Sequence, residues 1–219
     1  MSTMHTKPIE LFAIPFTCSL AAHIALVEAG LPHTVHWLPR VSDKRLADGT
    51  PYTRINPLGK VAALRLPDGS VVTENVVVLW TIEALTRGGS LGDAPQQRQL
   101  LKWLSFVATE LHKQVLFPSF DALAPAETKR DVLVRLLGPA LAYVDAQLVG
   151  REVLVGDTFS VADCYLLWAL ILVRQLRYPL ETTPHVDAYR KRLLQRPSVV
   201  AALDIERQAF AAAGVQQAS

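Results

Sequence analysis

A glycine-rich seam, Gly88-Gly89-Ser90-Leu91-Gly92, divides this chain into two stretches of different hydrophobic period. Before it, short apolar runs of strand length alternate with helical patterns; after it, every periodic segment repeats at helical spacing. One sheet or one bundle cannot accommodate both patterns. The chain is therefore expected to build a small α/β unit and then an all-helical one.

In the first stretch, Ile9–Ile14 reads as a strand that breaks at Pro15, and a helix follows from about Cys18 to Ala29, stopped by Gly30. His33–Leu38 alternates as a second strand. Pro39–Asn56 is an irregular connection. Val61–Leu66 and Val71–Thr73 flank Pro67-Asp68-Gly69-Ser70, and Asp-Gly between β-branched runs predicts a hairpin. Glu74–Arg87 then reads as a helix, giving the order βαβ-ββα. Beyond the seam, helices are expected over about Gln96–Leu116, Ala126–Leu148, Val161–Arg177, Pro184–Gln195 and Ser198–Ala212, with Pro118, Pro125, Pro179 and Pro197 as punctuation. Ser160 with Asp163 has the spacing of a helix-start capping box. The tail Ala211–Ser219 is small and polar enough to fray. The expected division is residues 1–88, a linker over 89–95, and 96–219.

Composition excludes several classes. Half of the 219 residues are hydrophobic, enough for a real core, and the net charge of +2 is scattered without a basic run. Nothing in that balance points to nucleic acid or a membrane surface as partner. The longest strongly apolar stretch, Tyr165–Val173, is far short of the ~20 residues that cross a bilayer. The opening MSTMHTKPIE lacks the features of a secretory leader, so a cytoplasmic location is expected. Cys18 and Cys164 are the two cysteines, too few for a disulfide framework and without a zinc-ligand spacing, so free thiols and no metal are expected. Cys164, inside the apolar helix, reads as a small hydrophobe.

Three segments carry candidate chemistry. Pro15-Phe16-Thr17-Cys18-Ser19-Leu20 places Cys18 and Ser19 where a strand turns into a helix, and a helix N-terminus stabilises an anion. A free thiol is ~3% ionised at pH 7; making it mostly thiolate takes about 2.7 kcal/mol, more than a helix end usually supplies. A small buried cysteine beside a helix-capping serine stays open as the other reading. In Lys102–Lys113, Leu100, Leu104, Val107 and Leu111 form an apolar stripe, while Ser105, Thr109 and His112 share the opposite side with Lys102 and Lys113. That side suits an anionic, thiol-bearing ligand or a plain solvated face. Thr73-Glu74-Asn75, at a strand-to-helix junction, suits a ligand site or a plain N-cap.

Taken together, these segments resemble the glutathione transferases, most closely the bacterial beta class. The matching text is Cys18-Ser19-Leu20-Ala21 with His23, Glu28-Ala29-Gly30, and Asn56-Pro57-Leu58-Gly59-Lys60-Val61; then Asp68-Gly69 with Thr73-Glu74, Trp103-Leu104, Ala108-Thr109-Glu110-Leu111-His112-Lys113, and Phe159-Ser160-Val161-Ala162-Asp163. The resemblance implies a thioredoxin-like α/β domain followed by a helical bundle. It implies a cytoplasmic homodimeric transferase that uses glutathione as co-substrate against a small hydrophobic electrophile or a disulfide, in detoxification. Cys18 would lie against the glutathione sulfur and form a mixed disulfide with it, with Ser19 close by. His112 and Lys113 would reach in from the helical domain. Lys44, Glu74 and Asn75 would hold the peptide backbone and its charged ends, and Val61 would offer main-chain bonds. Glu110 would approach the partner subunit's site.

Three positions depart from the family pattern. Ala62 stands where a cis-proline is usual; cis costs ~3 kcal/mol or more before other residues, so a trans or strained Val61–Ala62 peptide is expected. Asn75 replaces a glycine or serine beside the expected carboxylate-binding N–H. Ser105, counted with the glutathione-binding residues, replaces an asparagine. These departures keep open a non-catalytic binding or assembly module with an impaired glutathione site. They also leave room for an isomerase or dehalogenase whose electrophile pocket draws on Phe106, Phe117 and Phe120.

Overall fold

The computed structural model of the protein describes residues 7–89 and 92–217. Its contacts divide the chain into two compact units, residues 1–89 with 197–219, and residues 90–196.

The first unit is built on a four-stranded sheet of order β2-β1-β3-β4. β1 (Ile9–Ala13) pairs in parallel with β2 (His33–Trp37) and antiparallel with β3 (Ala63–Arg65), which pairs antiparallel with β4 (Val71–Val72). A parallel pair needs a crossover, supplied by α1 (Ser19–Glu28). Leu11, Phe12 and Ala13 are fully buried, the signature of a central strand covered on both faces. The expected hairpin is present: Leu66 N–H donates to Ser70 O at 2.9 Å, and Gly69 takes φ +88°, a conformation glycine adopts without penalty. Strand limits fall within a residue or two of those read from the sequence.

Ser19 to Leu26 are buried without interruption, so α1 has no solvent face; its run of small and apolar residues fits a helix covered all round. α2 (Asn75–Thr86) covers one side and the last helix, α9 (Pro197–Gln217), another. Periodicity grouped α9 with the helical remainder, whereas in space it joins the α/β unit. The physical reason is a pair of buried polar side chains, His23 on α1 and Glu206 on α9, that satisfy each other. The tail expected to fray from Ala211 stays helical to Gln217; residues 218 and 219 lie outside the described residues, as do Ser90 and Leu91 of the expected linker.

In the second unit, α3 (Ala94–Phe106) runs through a π-helical stretch, Val107–Leu116, into α4 (Phe117–Phe120). α5 (Ala126–Val132) likewise passes through π-helical Leu133–Leu137 into α6 (Gly138–Gln147). α7 (Val161–Gln175) is the core helix and α8 (Pro184–Leu193) packs on it. The expected capping box opens α7: Asp163 accepts from Ser160 N at 2.9 Å while Ser160 caps the N3 backbone. Its carboxylate also takes Leu154 N–H at 2.9 Å and the Tyr189 hydroxyl at 2.6 Å, and burial raises its pKa. Among the described residues no helix is long and apolar enough to cross a membrane.

Candidate active site

Between β1 and α1 the chain turns sharply, and its own side chains tie the turn. Ser19 Oγ donates to Ile14 O at 3.1 Å and accepts from Ile14 N at 3.2 Å; Thr17 Oγ1 lies 2.9 Å from both Ile14 O and Ser19 Oγ. Ser19 is therefore a clasp reaching back to the strand. It does not cap the helix forward as a serine at this place could. Arg40 Nη2 holds Pro15 O at 3.0 Å. Phe16 sits at φ +60°, the left-handed region that a non-glycine residue occupies at a cost of about 1 kcal/mol or more.

This turn delivers Cys18 to the end of α1. Its Sγ is buried and donates to Val61 O at 3.3 Å. The backbone N–H groups of Cys18, Ala62 and Ser19 face the sulfur and favour its anion, yet burial outweighs them and the Glu74 charge adds to the rise, so the thiol is pushed up from 9.0 to about 12. The helix end does not supply a protein thiolate: Leu20 and Ala21 N–H return to Thr17 and Cys18 carbonyls, and desolvation decides. Cys18 at rest is a protonated donor.

The segment opposite Cys18 is braced at Lys60. Tyr52 Oη and Asn56 Nδ2 both donate to Lys60 O, at 2.9 and 2.7 Å. The following Val61–Ala62 peptide is cis, so of the two outcomes expected once proline is absent the trans one is not found. Tyr52 went unnoticed in the sequence because it lies in the irregular connection, where no period marks a buried ring.

Glu74 occupies the N-cap of α2 at φ +65° but makes no capping bond, so the plain N-cap reading fails there. Asn75, the first residue of α2, has both Nδ2 and Oδ1 buried without a hydrogen-bond partner. An amide left so is costly, about 1–3 kcal/mol, and marks a place where a polar ligand would be welcome. Lys44 precedes the Arg45–Pro51 bridge; its carbonyl accepts from Tyr52 N at 2.9 Å, and its ammonium makes no ion pair among the described residues. The first unit thus gathers Cys18, Ser19, Val61 and Ala62, with Glu74 near enough for its charge to act on the sulfur.

In the second unit, Leu100, Leu104, Val107 and Leu111 are buried as the stripe required. Ser105 is exposed, and its carbonyl accepts from Thr109 Oγ1 at 3.1 Å. Glu110 bonds to Gln114 at 3.2 Å, and Lys113 Nζ lies 4.2 Å from the Phe117 ring centre. His112 packs on α7, with Nδ1 2.8 Å from Tyr165 Oη and its ring 4.6 Å from that of Trp168.

Known proteins resemble this chain over most of its length. Residues 17–85 match the family model described as glutathione S-transferase, N-terminal domain, and residues 97–197 the corresponding C-terminal domain. The chain is 35% identical to glutathione S-transferase GstA of Escherichia coli O157:H7, covering 90% of this chain and 98% of that one. Among solved structures, a sphingomonad glutathione S-transferase complexed with glutathione superposes with a TM-score of 0.82 at 34% identity, over 90% of this chain and 98% of that one. A bacterial beta class transferase of Sphingomonas chungbukensis gives the same TM-score at 33% identity and the same coverage.

Proposed function

This chain belongs to the glutathione S-transferase family, and from that premise we propose that it conjugates the glutathione thiolate to small hydrophobic electrophiles, with Cys18 acting as a hydrogen-bond donor. The observation that carries the reading is the Cys18 thiol, buried, protonated and ringed by three backbone N–H groups. A glutathione sulfur seated against that ring accepts the Cys18 S–H in place of Val61 O. Its own pKa falls, its proton leaves to solvent, and the thiolate forms a carbon–sulfur bond as the electrophile's leaving group departs with its electron pair.

The same thiol disfavours the second activity. Thiol–disulfide exchange with Cys18 as attacking group needs its thiolate, which burial of the sulfur opposes.

Glu74, Asn75 and Lys44 are assigned to the charged ends of glutathione, and Val61 to its main chain. The unpaired Asn75 amide at the positive end of α2 supports this, as a peptide carboxylate would give it an acceptor and gain the helix dipole. Ser19 shapes the turn. His112, Lys113, Ser105 and Glu110 are assigned to the transferase site from the helical domain, with His112 fixed by Tyr165. A homodimer, a cytoplasmic location and a role in detoxification complete the proposal, as what the resemblance to the beta class implies.

Isothermal titration with glutathione, followed by an assay with a chloronitrobenzene electrophile, tests the reading. Micromolar binding and turnover that falls about tenfold or more in Cys18→Ala are expected. Absence of both binding and turnover would establish the non-catalytic module instead.

A further inference from the structure

Tyr52 is fully buried and joins three stretches of the first unit. Its N–H donates to Lys44 O at 2.9 Å, its carbonyl accepts from Asn56 N at 3.0 Å, and its Oη donates to Lys60 O at 2.9 Å. Asn56 closes the ring: its Nδ2 donates to the same Lys60 oxygen at 2.7 Å, and its Oδ1 accepts from Leu58 N at 3.1 Å. The Tyr52 ring is anchored against Phe12 of β1, with centroids 5.9 Å apart, and Val61 packs against the same core. We infer that Tyr52 is a positioning residue, a strut between the Lys44 and Lys60 segments that sets the direction in which the Val61 main chain is presented to glutathione and to the Cys18 thiol.

A peptide unit is planar, so fixing the Lys60 oxygen also fixes the Val61 N–H on the other side of the same plane. Two donors on that oxygen use both of its lone pairs and leave the plane little freedom to rotate. The Val61 carbonyl, one unit further on, is the acceptor of the Cys18 thiol at 3.3 Å. Burial holds the Tyr52 phenol well above its ordinary range, and the Cys18 charge, near enough to act on it, adds to the rise, so the hydroxyl remains a donor. Phenylalanine would fill the same space; the hydroxyl contributes direction rather than packing. Lys44 and Val61 are the groups assigned above to a charged end and to the main chain of glutathione, so the consequence for binding rests on the transferase reading. The hold on Val61 can be measured at Cys18 without it.

Tyr52→Phe removes the hydroxyl alone and leaves Asn56 on the Lys60 carbonyl, so the protein should fold. Its KM for glutathione should rise about tenfold while kcat at saturating glutathione stays within about threefold of the natural value. Alkylation of Cys18 by iodoacetamide, read by peptide mass spectrometry at fixed pH without glutathione, should speed up about fivefold as Val61 O loses its fixed place. Para-aminophenylalanine at position 52 returns an N–H donor to Lys60 O and should bring both readouts back to within about threefold. Ile82→Val, a truncation in the buried face of α2, should lower the unfolding midpoint and move neither readout. Should Tyr52→Phe fail to fold, Asn56→Asp keeps the acceptor for Leu58 N and removes the other donor on Lys60 O, and the same two changes are expected. Unchanged Cys18 labelling in whichever of these two variants folds overturns the proposal, as does an unchanged KM in a protein that turns glutathione over, or labelling in Ile82→Val that matches Tyr52→Phe. If the natural protein shows no glutathione turnover, the transferase reading fails while the labelling still decides the positioning role.

Discussion

The Sγ of Cys18 donates to the carbonyl oxygen of Val61 at 3.3 Å, across the gap between the start of α1 and the segment leading into β3. Burial keeps the proton on sulfur, so the contact is a thiol bond and its consequences are those of an acid that folding has weakened.

Stability should depend on pH through this group. The folded pKa of about 12 lies above the ordinary value of 9.0, so above pH 9 the unfolded chain releases a proton that the folded one retains. The contribution is fully present below pH 9 and is lost by about 1.4 kcal/mol per pH unit as pH rises toward 12. Urea midpoints at pH 8 and pH 10.5 should therefore converge in Cys18→Ala relative to the natural protein; an equal loss in both would show that the thiol is not desolvated.

Asn75 should oppose stability and support binding. Its amide is buried and unpaired, so Asn75→Ala should raise stability by about 1 kcal/mol in urea denaturation while weakening glutathione binding about tenfold by titration. Loss of stability with unchanged binding would remove Asn75 from the site.

Ser19 should matter as a clasp. Its hydroxyl both donates to and accepts from Ile14, so Ser19→Ala leaves the buried Ile14 N–H without that acceptor, while Thr17 still holds the carbonyl, and should cost about 1–3 kcal/mol. Activity should follow the fraction folded, as a thermal melt taken beside the assay would reveal; an activity loss without a shift in melting would make Ser19 a reacting group.

Asp163 should be the costliest single polar residue of the helical unit. Its carboxylate satisfies Ser160 N, Leu154 N and the Tyr189 hydroxyl together, so Asp163→Ala should destabilise by about 3 kcal/mol or more and lower the yield of folded protein. Asp163→Asn, which keeps an acceptor, should fall between the two in chemical denaturation.

The sequence by itself determined what is local. Asp68-Gly69 fixed a hairpin because few residue pairs make that turn, and Ser160 with Asp163 opened α7 because a capping box needs only three residues of separation. The strand limits, the helical second stretch and the position of Cys18 at a strand-to-helix turn follow from period and punctuation. Tertiary structure decided what depends on residues far apart in the chain. The protonation of Cys18 comes from the atoms that bury it, which no motif states. The contact of His112 with Tyr165, 53 positions away, joins two helices that no local period relates. The membership of α9 in the first unit, and the hold of Glu206 on Phe16 across 190 positions, arise because a buried carboxylate must find its donors wherever the fold brings them.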